Sequence, residues 1–281
     1  MTIMSRGHLL RYLTLVLGAT LLAAPIAAQA RCDLKAVGTH ALHYCARGRG
    51  DPIVVLAAGT GQTSRSFDNL AAELAHLGTT ITFDRAGMGE SPPGPSPRTP
   101  TANATELRLL LDVVAGGAPL ILVGHSAGGW QMLRLAAISD NVAGVVLIDT
   151  PPIDFEERRM SLLTPSEQSV RKALLEEAAR RAPSVVREER EAAQQDIARG
   201  FDDFPRTVPL IVIAANGQDF GAGSKNVGHR QLWIEMSRAW TVLSEFAEFT
   251  IANGSSHMVH QDQPTIVIDA IERLVERATM Q

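Results

Sequence analysis

Ala118-Pro-Leu-Ile-Leu-Val-Gly-His-Ser-Ala-Gly128 is the stretch that decides how this chain folds. Its first half is a short apolar run of strand type. Gly124-His-Ser-Ala-Gly128 follows at once, and Trp130-Gln-Met-Leu-Arg-Leu-Ala-Ala137 then carries apolar residues at helical spacing. A G-x-S-x-G pentapeptide between a strand and a helix reads as a nucleophile elbow, a sharp turn that lifts a serine hydroxyl above the end of a sheet. The glycines have a steric reason. Gly124 and Gly128 let strand and helix close around a serine held in an unfavourable backbone conformation.

Outward from the elbow, short apolar runs recur. Pro52–Ala57, Thr79–Phe83, Leu120–Val123, Val142–Ile148, Val208–Ala214 and Glu245–Ile251 read as strands. Ser66–His76, Thr101–Val114, the segment after the elbow, Gln231–Leu243 and Thr265–Ala278 read as helices. That alternation predicts βαβ units, hence an α/β fold with a doubly wound, mostly parallel sheet. Residues 151–207 break the rhythm: they are rich in Arg and Glu, spaced helically over Ser166–Arg181 and Pro183–Arg199, with no strand-like run. Set between two core strands on the elbow side of the sheet, they are expected to form a helical lid. With 281 residues and 45% hydrophobic content, the chain suffices for one sizeable core. No P-loop, H-E-x-x-H or C-x-x-C occurs, so neither a cofactor nor a metal is expected.

With these elements placed, the chain resembles an α/β-hydrolase over about residues 35–279. Leu56-Ala-Ala-Gly-Thr-Gly61 is similar to the family's oxyanion loop after the third strand, with Ala58-Gly59 where His-Gly is usual. Phe83-Asp-Arg-Ala-Gly-Met-Gly-Glu-Ser91 is similar to its turn after the fourth strand, and Asn253-Gly-Ser-Ser-His257 to the loop that carries its histidine. Serine at the elbow resembles the esterase and lipase side of the family rather than the dehalogenases and epoxide hydrolases, which use aspartate there. The resemblance implies backbone N–H donors at Thr60 and Ala127 for a tetrahedral oxyanion.

Serine is a weak nucleophile at neutral pH and needs a base, and the base needs an orienting acid. Of eight histidines, His8, His40, His43, His76 and His125 are badly placed to face the Ser126 hydroxyl, and His229 has no motif around it. His257 follows the last strand, where the order Ser…Asp…His requires the base. His260 is its nearest competitor, in or beside the next helical segment. Two aspartates compete for the acid. Asp219, reached through Ala215-Asn-Gly-Gln218 after a strand, is preferred; Asp149, directly ending Val142–Ile148, is the alternative, and Asp154 a remote third. Asp84 is expected to brace its own turn. Trp130 and the insertion's Met160, Leu162 and Leu163 are candidate pocket walls.

The first thirty residues read differently. Arg6 and Arg11 precede the apolar run 12–28, and Ala28-Gln-Ala30 is a small-x-small site, so residues 1–30 are expected to be a secretory signal cut after Ala30. The run is short and alanine-rich for a span, so no stable membrane insertion of the mature chain 31–281 is expected. Its loss removes two arginines from a formal net charge of −4, which disfavours nucleic acid as a partner. Cys32 and Cys45 lie just beyond the cut. If Gly38-Thr39 forms a two-residue hairpin turn, Val37 faces His40 and Cys32 faces Cys45, which predicts a disulfide in an exported, periplasmic or secreted protein. The sequence thus points to an exported serine hydrolase acting on small-molecule carboxylic esters or similarly activated acyl bonds. The alternatives are a carbon–carbon bond hydrolase with the same triad and a non-catalytic binding protein on this scaffold.

Overall fold

A computed structural model of the protein describes residues 29–220 and 224–280. The expected signal segment lies almost wholly outside them. Eight strands form one sheet: β1 (Arg31–Ala36), β2 (Ala41–Gly48), β3 (Ile53–Ala57), β4 (Thr79–Phe83), β5 (Leu120–His125), β6 (Val142–Ile148), β7 (Leu210–Ala215) and β8 (Ala247–Ala252). Their order is β1-β2-β4-β3-β5-β6-β7-β8. The β1–β2 and β2–β4 pairs are antiparallel, and every pair from β4 across to β8 is parallel. All residues of β3, β5 and β7 are buried, as helices on both faces require.

Alternation along the strands feeds two cores. Val55, Leu122 and Val145 pack with Leu107 and Leu110 of α2 (Pro100–Val114) and Met132 and Leu133 of α3 (Ala127–Ala137). Val54, Ile121 and Val146 point the other way, onto Leu70 and Leu74 of α1 (Asp68–Leu74) and Ile271 and Leu274 of the last long helix, Pro264–Thr279. Side chains of period two on the strands and 3.6 on the helices bring both sets together.

The hairpin has the expected register. Val37 N–H donates to the His40 carbonyl at 2.8 Å, Cys32 pairs with Cys45, and a disulfide joins them. Gly38 sits at φ +87°, where a β-carbon is disfavoured.

The insertion contains three helices rather than the two expected: α4 (Phe155–Ser161), α5 (Pro165–Arg181) and α6 (Ser184–Ile197). The sequence gives α4 little apolar periodicity, and Asp154 enters it in a left-handed conformation. Beyond β7, α7 (Ser224–Arg238) begins earlier than its pattern suggests and passes into a 3-10 turn, Ala239–Leu243. A short helix, α8 (Val259–Asp262), precedes the final one, α9 (Pro264–Thr279). Among the described residues, no helix is long and apolar enough to cross a membrane.

Candidate active site

β5 delivers Ser126 at φ 53° and ψ −130°, a strained conformation for a residue with a side chain. Backbone bonds hold it there: Ser126 N–H donates to the Ile148 carbonyl at 2.9 Å, and Gly129 N–H to the Ser126 carbonyl at 2.9 Å. The flanking glycines are sterically required. A β-carbon on Gly124 would stand 2.5 Å from the Gly129 Cα, and one on Gly128 would run into the Ala57 carbonyl. Ser126 itself is half-buried, at the carboxyl end of the central strands.

His257 hangs from the loop after β8. Asp262 secures that loop, accepting from Ser256 N–H at 2.8 Å and from the Ser255 hydroxyl at 3.3 Å. Hydrogen bonds from Ser256 hold the Asp262 carboxyl below its usual range. His257 Nδ1 lies 2.6 Å from Asp149 Oδ2. Donation from Nδ1 to the carboxylate leaves Nε2, on the far edge of the ring, as the basic nitrogen.

Asp149 is fully buried, immediately beyond β6, at φ 48°. Besides His257, its carboxylate accepts from Ala215 N–H at 2.8 Å, Trp233 Nε1 at 2.7 Å and Gln218 Nε2 at 2.5 Å. Four donors meet four acceptor positions, which offsets the cost of burying the group. The carboxylate beside His257 is therefore Asp149, and the expectation placed on Asp219 is corrected. Asp219 is exposed and accepts from Asn226 Nδ2 at 3.3 Å. The loop after β7 is tied to the loop after β8 through Gly217 N–H to Ser255 C=O at 2.8 Å and Gly254 N–H to Asn216 Oδ1 at 2.6 Å. That course turns Gln218 inward. Asp154 is exposed at the start of α4.

Two more histidines crowd His257. The His125 ring centroid lies 4.7 Å from that of His257 and 4.6 Å from that of His260. His125 sits within 2.9 Å of the His257 carbonyl through Nε2 and 3.1 Å of Gln62 Oε1 through Nδ1. Burial, then the neighbouring His257 and His260, press the His125 pKa well below the usual histidine value. Burial followed by His257 lowers His260 to about 4. Both rings are neutral near pH 7, and neither has Asp149 beside it.

Ala127 opens α3, so its N–H is one of the four that have no acceptor within the helix. Thr60 lies in a tight turn closed by Gln62 N–H on the Gly59 carbonyl at 3.1 Å. Both residues line one cavity of about 340 Å³. Trp130 lines it as expected. Met160, Leu162 and Leu163 do not; Leu163 faces a separate cavity, and Leu175 and Ala193 are the insertion's apolar contributions. The remaining wall is unexpectedly polar, with buried Arg85, Arg98, Asn103, Gln131 and Glu189. Asp84 braces its turn, accepting from Ser64 N–H at 2.7 Å and Glu90 N–H at 3.0 Å.

A model of the Alpha/beta hydrolase family matches residues 54–270, and the chain belongs to that family. YqjL of Bacillus subtilis, an uncharacterized protein, is 26% identical over 80% of this chain and 84% of its own length. Lipase LipV of Mycobacterium tuberculosis is 37% identical over 38% of this chain and 41% of its own. The chain spans only 18% of another relative, a probable transporter, efuK, of Hormonema carpetanum. Among solved structures, a thermophilic esterase from Thermogutta terrifontis superposes with a TM-score of 0.61 at 20% identity, covering 89% of this chain and 99% of that one. At that identity the likeness shows the fold alone.

Proposed function

We propose that this protein is a serine hydrolase that cleaves carboxylic esters, or similarly activated acyl bonds, through an acyl-enzyme. The observation that carries the reading is the 2.6 Å contact of His257 with a carboxylate buried under four donors, on the strand next to a strained serine. Ser126 Oγ attacks the acyl carbon and passes its proton to His257 Nε2. Asp149 fixes the imidazole tautomer and stabilises the imidazolium that forms. Thr60 and Ala127 N–H groups receive the oxyanion. Collapse expels the alcohol with the histidine's proton, and water, deprotonated by the same histidine, releases the acid. Helices α4–α6 act as a lid. Buried polar side chains beside Thr60 and Ala127 favour short or polar acyl groups over long alkyl chains. The in-register disulfide and the N-terminal signal pattern support export.

A fluorophosphonate probe tests the reading. It should label the parent chain at Ser126 and leave Ser126→Ala unlabelled. Hydrolysis of para-nitrophenyl acetate by Ser126→Ala at the parental rate would remove the mechanism.

A further inference from the structure

Arg85 leaves the exit of β4 and buries its guanidinium, 5% exposed, between two parts of the molecule. Towards the insertion, Nε donates to Glu189 Oε1 at 2.7 Å and Nη2 to Glu189 Oε2 at 3.3 Å, and Glu189 belongs to α6. Towards the sheet, Nη1 donates to the Ala58 carbonyl at 2.5 Å and Nη2 to the Gly59 carbonyl at 2.8 Å. One side chain therefore ties an insertion helix to the loop that carries Thr60.

A trans peptide is planar, with its C=O and N–H pointing in opposite directions. Holding the Gly59 carbonyl on Arg85 fixes the Thr60 N–H on the other side of the same plane. Holding the Ala58 carbonyl likewise fixes the Gly59 N–H, which donates to Gln62 Oε1 at 3.1 Å. This loop touches the nucleophile, since a β-carbon on Gly59 would come 3.0 Å from Ser126 Cβ. Thr60 stands between Gly59 and Gly61, the latter at φ +72°, and glycine permits conformations closed to other residues. Local sterics leave the 59–60 peptide free to turn over; the Gln62 N–H at 3.1 Å is a second restraint on the Gly59 carbonyl, longer than the 2.8 Å bond from Arg85. A turned peptide would present a carbonyl, an acceptor, where an oxyanion needs a donor.

We infer that Arg85 is a positioning residue: with Glu189 as its counter-ion, it holds the oxyanion loop with the Thr60 N–H directed to the reacting carbonyl. The insertion's helix α6 then contributes to turnover as well as to cover. This inference rests on the role proposed above for Thr60. A purely structural ion pair predicts something different. Its loss lowers stability and leaves the chemical step intact, whereas loss of a positioning group lowers kcat and weakens binding of oxyanion-forming inhibitors.

The decisive variant is Arg85→Gln with Glu189→Gln, neutral on both sides so that no unpaired charge stays buried. kcat and KM for para-nitrophenyl acetate, inhibition by a trifluoromethyl ketone and Tm are measured together. Removing one oxyanion donor costs about 10²–10³ in kcat, and a loss of that order is expected with KM changed by less than about threefold. Affinity for the ketone, whose adduct with serine bears an oxyanion, should fall in parallel. Arg85→Lys keeps a charge for Glu189 but lacks the fork that spans both carbonyls, so its kcat should fall at least about tenfold. If the double variant does not fold, Arg85→Lys decides. Parental kcat and ketone affinity in a folded variant overturn the inference, whatever the Tm. Ser126→Ala run alongside separates the two failures. If it is inactive while the Arg85 variants turn over normally, only the positioning role is lost. If it hydrolyses the ester at the parental rate, the serine mechanism is lost with it.

Discussion

The exits of β6 and β7 lie side by side, and each carries an aspartate. At the β6 exit, Asp149 follows the strand directly, is buried, and gathers Ala215, Gln218, Trp233 and His257 around its two oxygens. At the β7 exit the chain runs on through Asn216 and Gly217 before Asp219 emerges into solvent near Asn226. A carboxylate orients a catalytic base when its own position is over-determined by several donors, and being near the right strand end is a weaker condition. The donors at Asp149 other than His257 come from three different elements: the β7 end, the loop beyond it and α7. The β7 exit, in effect, furnishes donors that hold Asp149 in place and not the carboxylate that meets His257.

The strongest break in that comparison is Asp149→Asn set against Asp219→Asn. On the mechanism proposed above, replacing Asp149 should lower kcat by roughly ten-thousandfold on an activated ester with the fold retained, because base and oxyanion hole would remain. A fall of less than about tenfold would dissolve the distinction between the two exits.

The next effect in size belongs to the β8 exit, on which both loops lean, and it is read in stability against pH. Folding lowers the His260 pKa to about 4, so between the unfolded value of 6.5 and that point the unfolded chain binds more protons. Stability therefore falls as acid is added across this window and stops falling, on this account, below it. Depression of His125 acts in the same direction. Denaturant unfolding of His260→Phe, which keeps a ring against Phe67 and His125, should show a pH dependence shallower by about 2–3 kcal/mol across the window. An unchanged slope would mean that His260 is not protonated differently in the two states.

Smaller again is Trp233→Phe, which removes the 2.7 Å donor to Asp149 Oδ1 and keeps most of the ring volume. One hydrogen bond to a charged group is worth about 1.5–3 kcal/mol, so unfolding free energy should drop by that much, with kcat down about tenfold. An effect confined to stability would show that three donors suffice to aim the acid. The least effect is expected of Asp219→Asn: within about 0.5 kcal/mol in stability, as for an ordinary surface change, and kcat within about twofold. Loss of activity there equal to that of Asp149→Asn would overturn the comparison from its other side.

The features legible in sequence are those fixed over short distances. The elbow is written in Gly124 and Gly128, because close approach of backbones admits nothing larger, and the disulfide follows from counting across a two-residue turn. Asp149 and Asp219 are not separable in this way, since both follow an apolar strand. What separates them is the course of residues 216–218. Gly217 is held against the β8 loop, where a β-carbon would stand 2.5 Å from the Gly254 and Ser255 carbonyl oxygens. That packing is a property of two distant segments. Trp233 carries no local signal at all, lying on a helix that begins before its amphipathic pattern does. In sequence Arg85 is only part of a turn motif, and its partner Glu189 is one of many glutamates in a charged insertion. Helices α5 and α6 look alike as strings of Arg and Glu. Yet α5 buries none of its residues and pairs Arg180 and Arg181 with Glu177 on its own surface, whereas α6 sends Glu189 and Asp196 into the core. Asp196 is deeply buried and reaches Thr101 at 2.8 Å and Arg134 at 3.5 Å; hydrogen bonds from Arg199 and Thr101 outweigh its burial and hold its carboxyl below the usual range.

The hairpin at the far border of the sheet has a consequence of its own. β1 is an outermost strand and nearly all of its residues are exposed, so its outer backbone groups form a template on which another extended chain can pair. β1 has β2 as its one neighbour in the sheet, and a slip of one residue between them would turn every β1 side chain to the opposite face. The Cys32–Cys45 bond forbids both peeling and slipping, and it lies three strands away from the one that bears Ser126. Reduction should accordingly announce itself as self-association of the protein well before it touches turnover, because the cross-link guards the exposed edge of the sheet while the strand that bears Ser126 is held by its own hydrogen bonds.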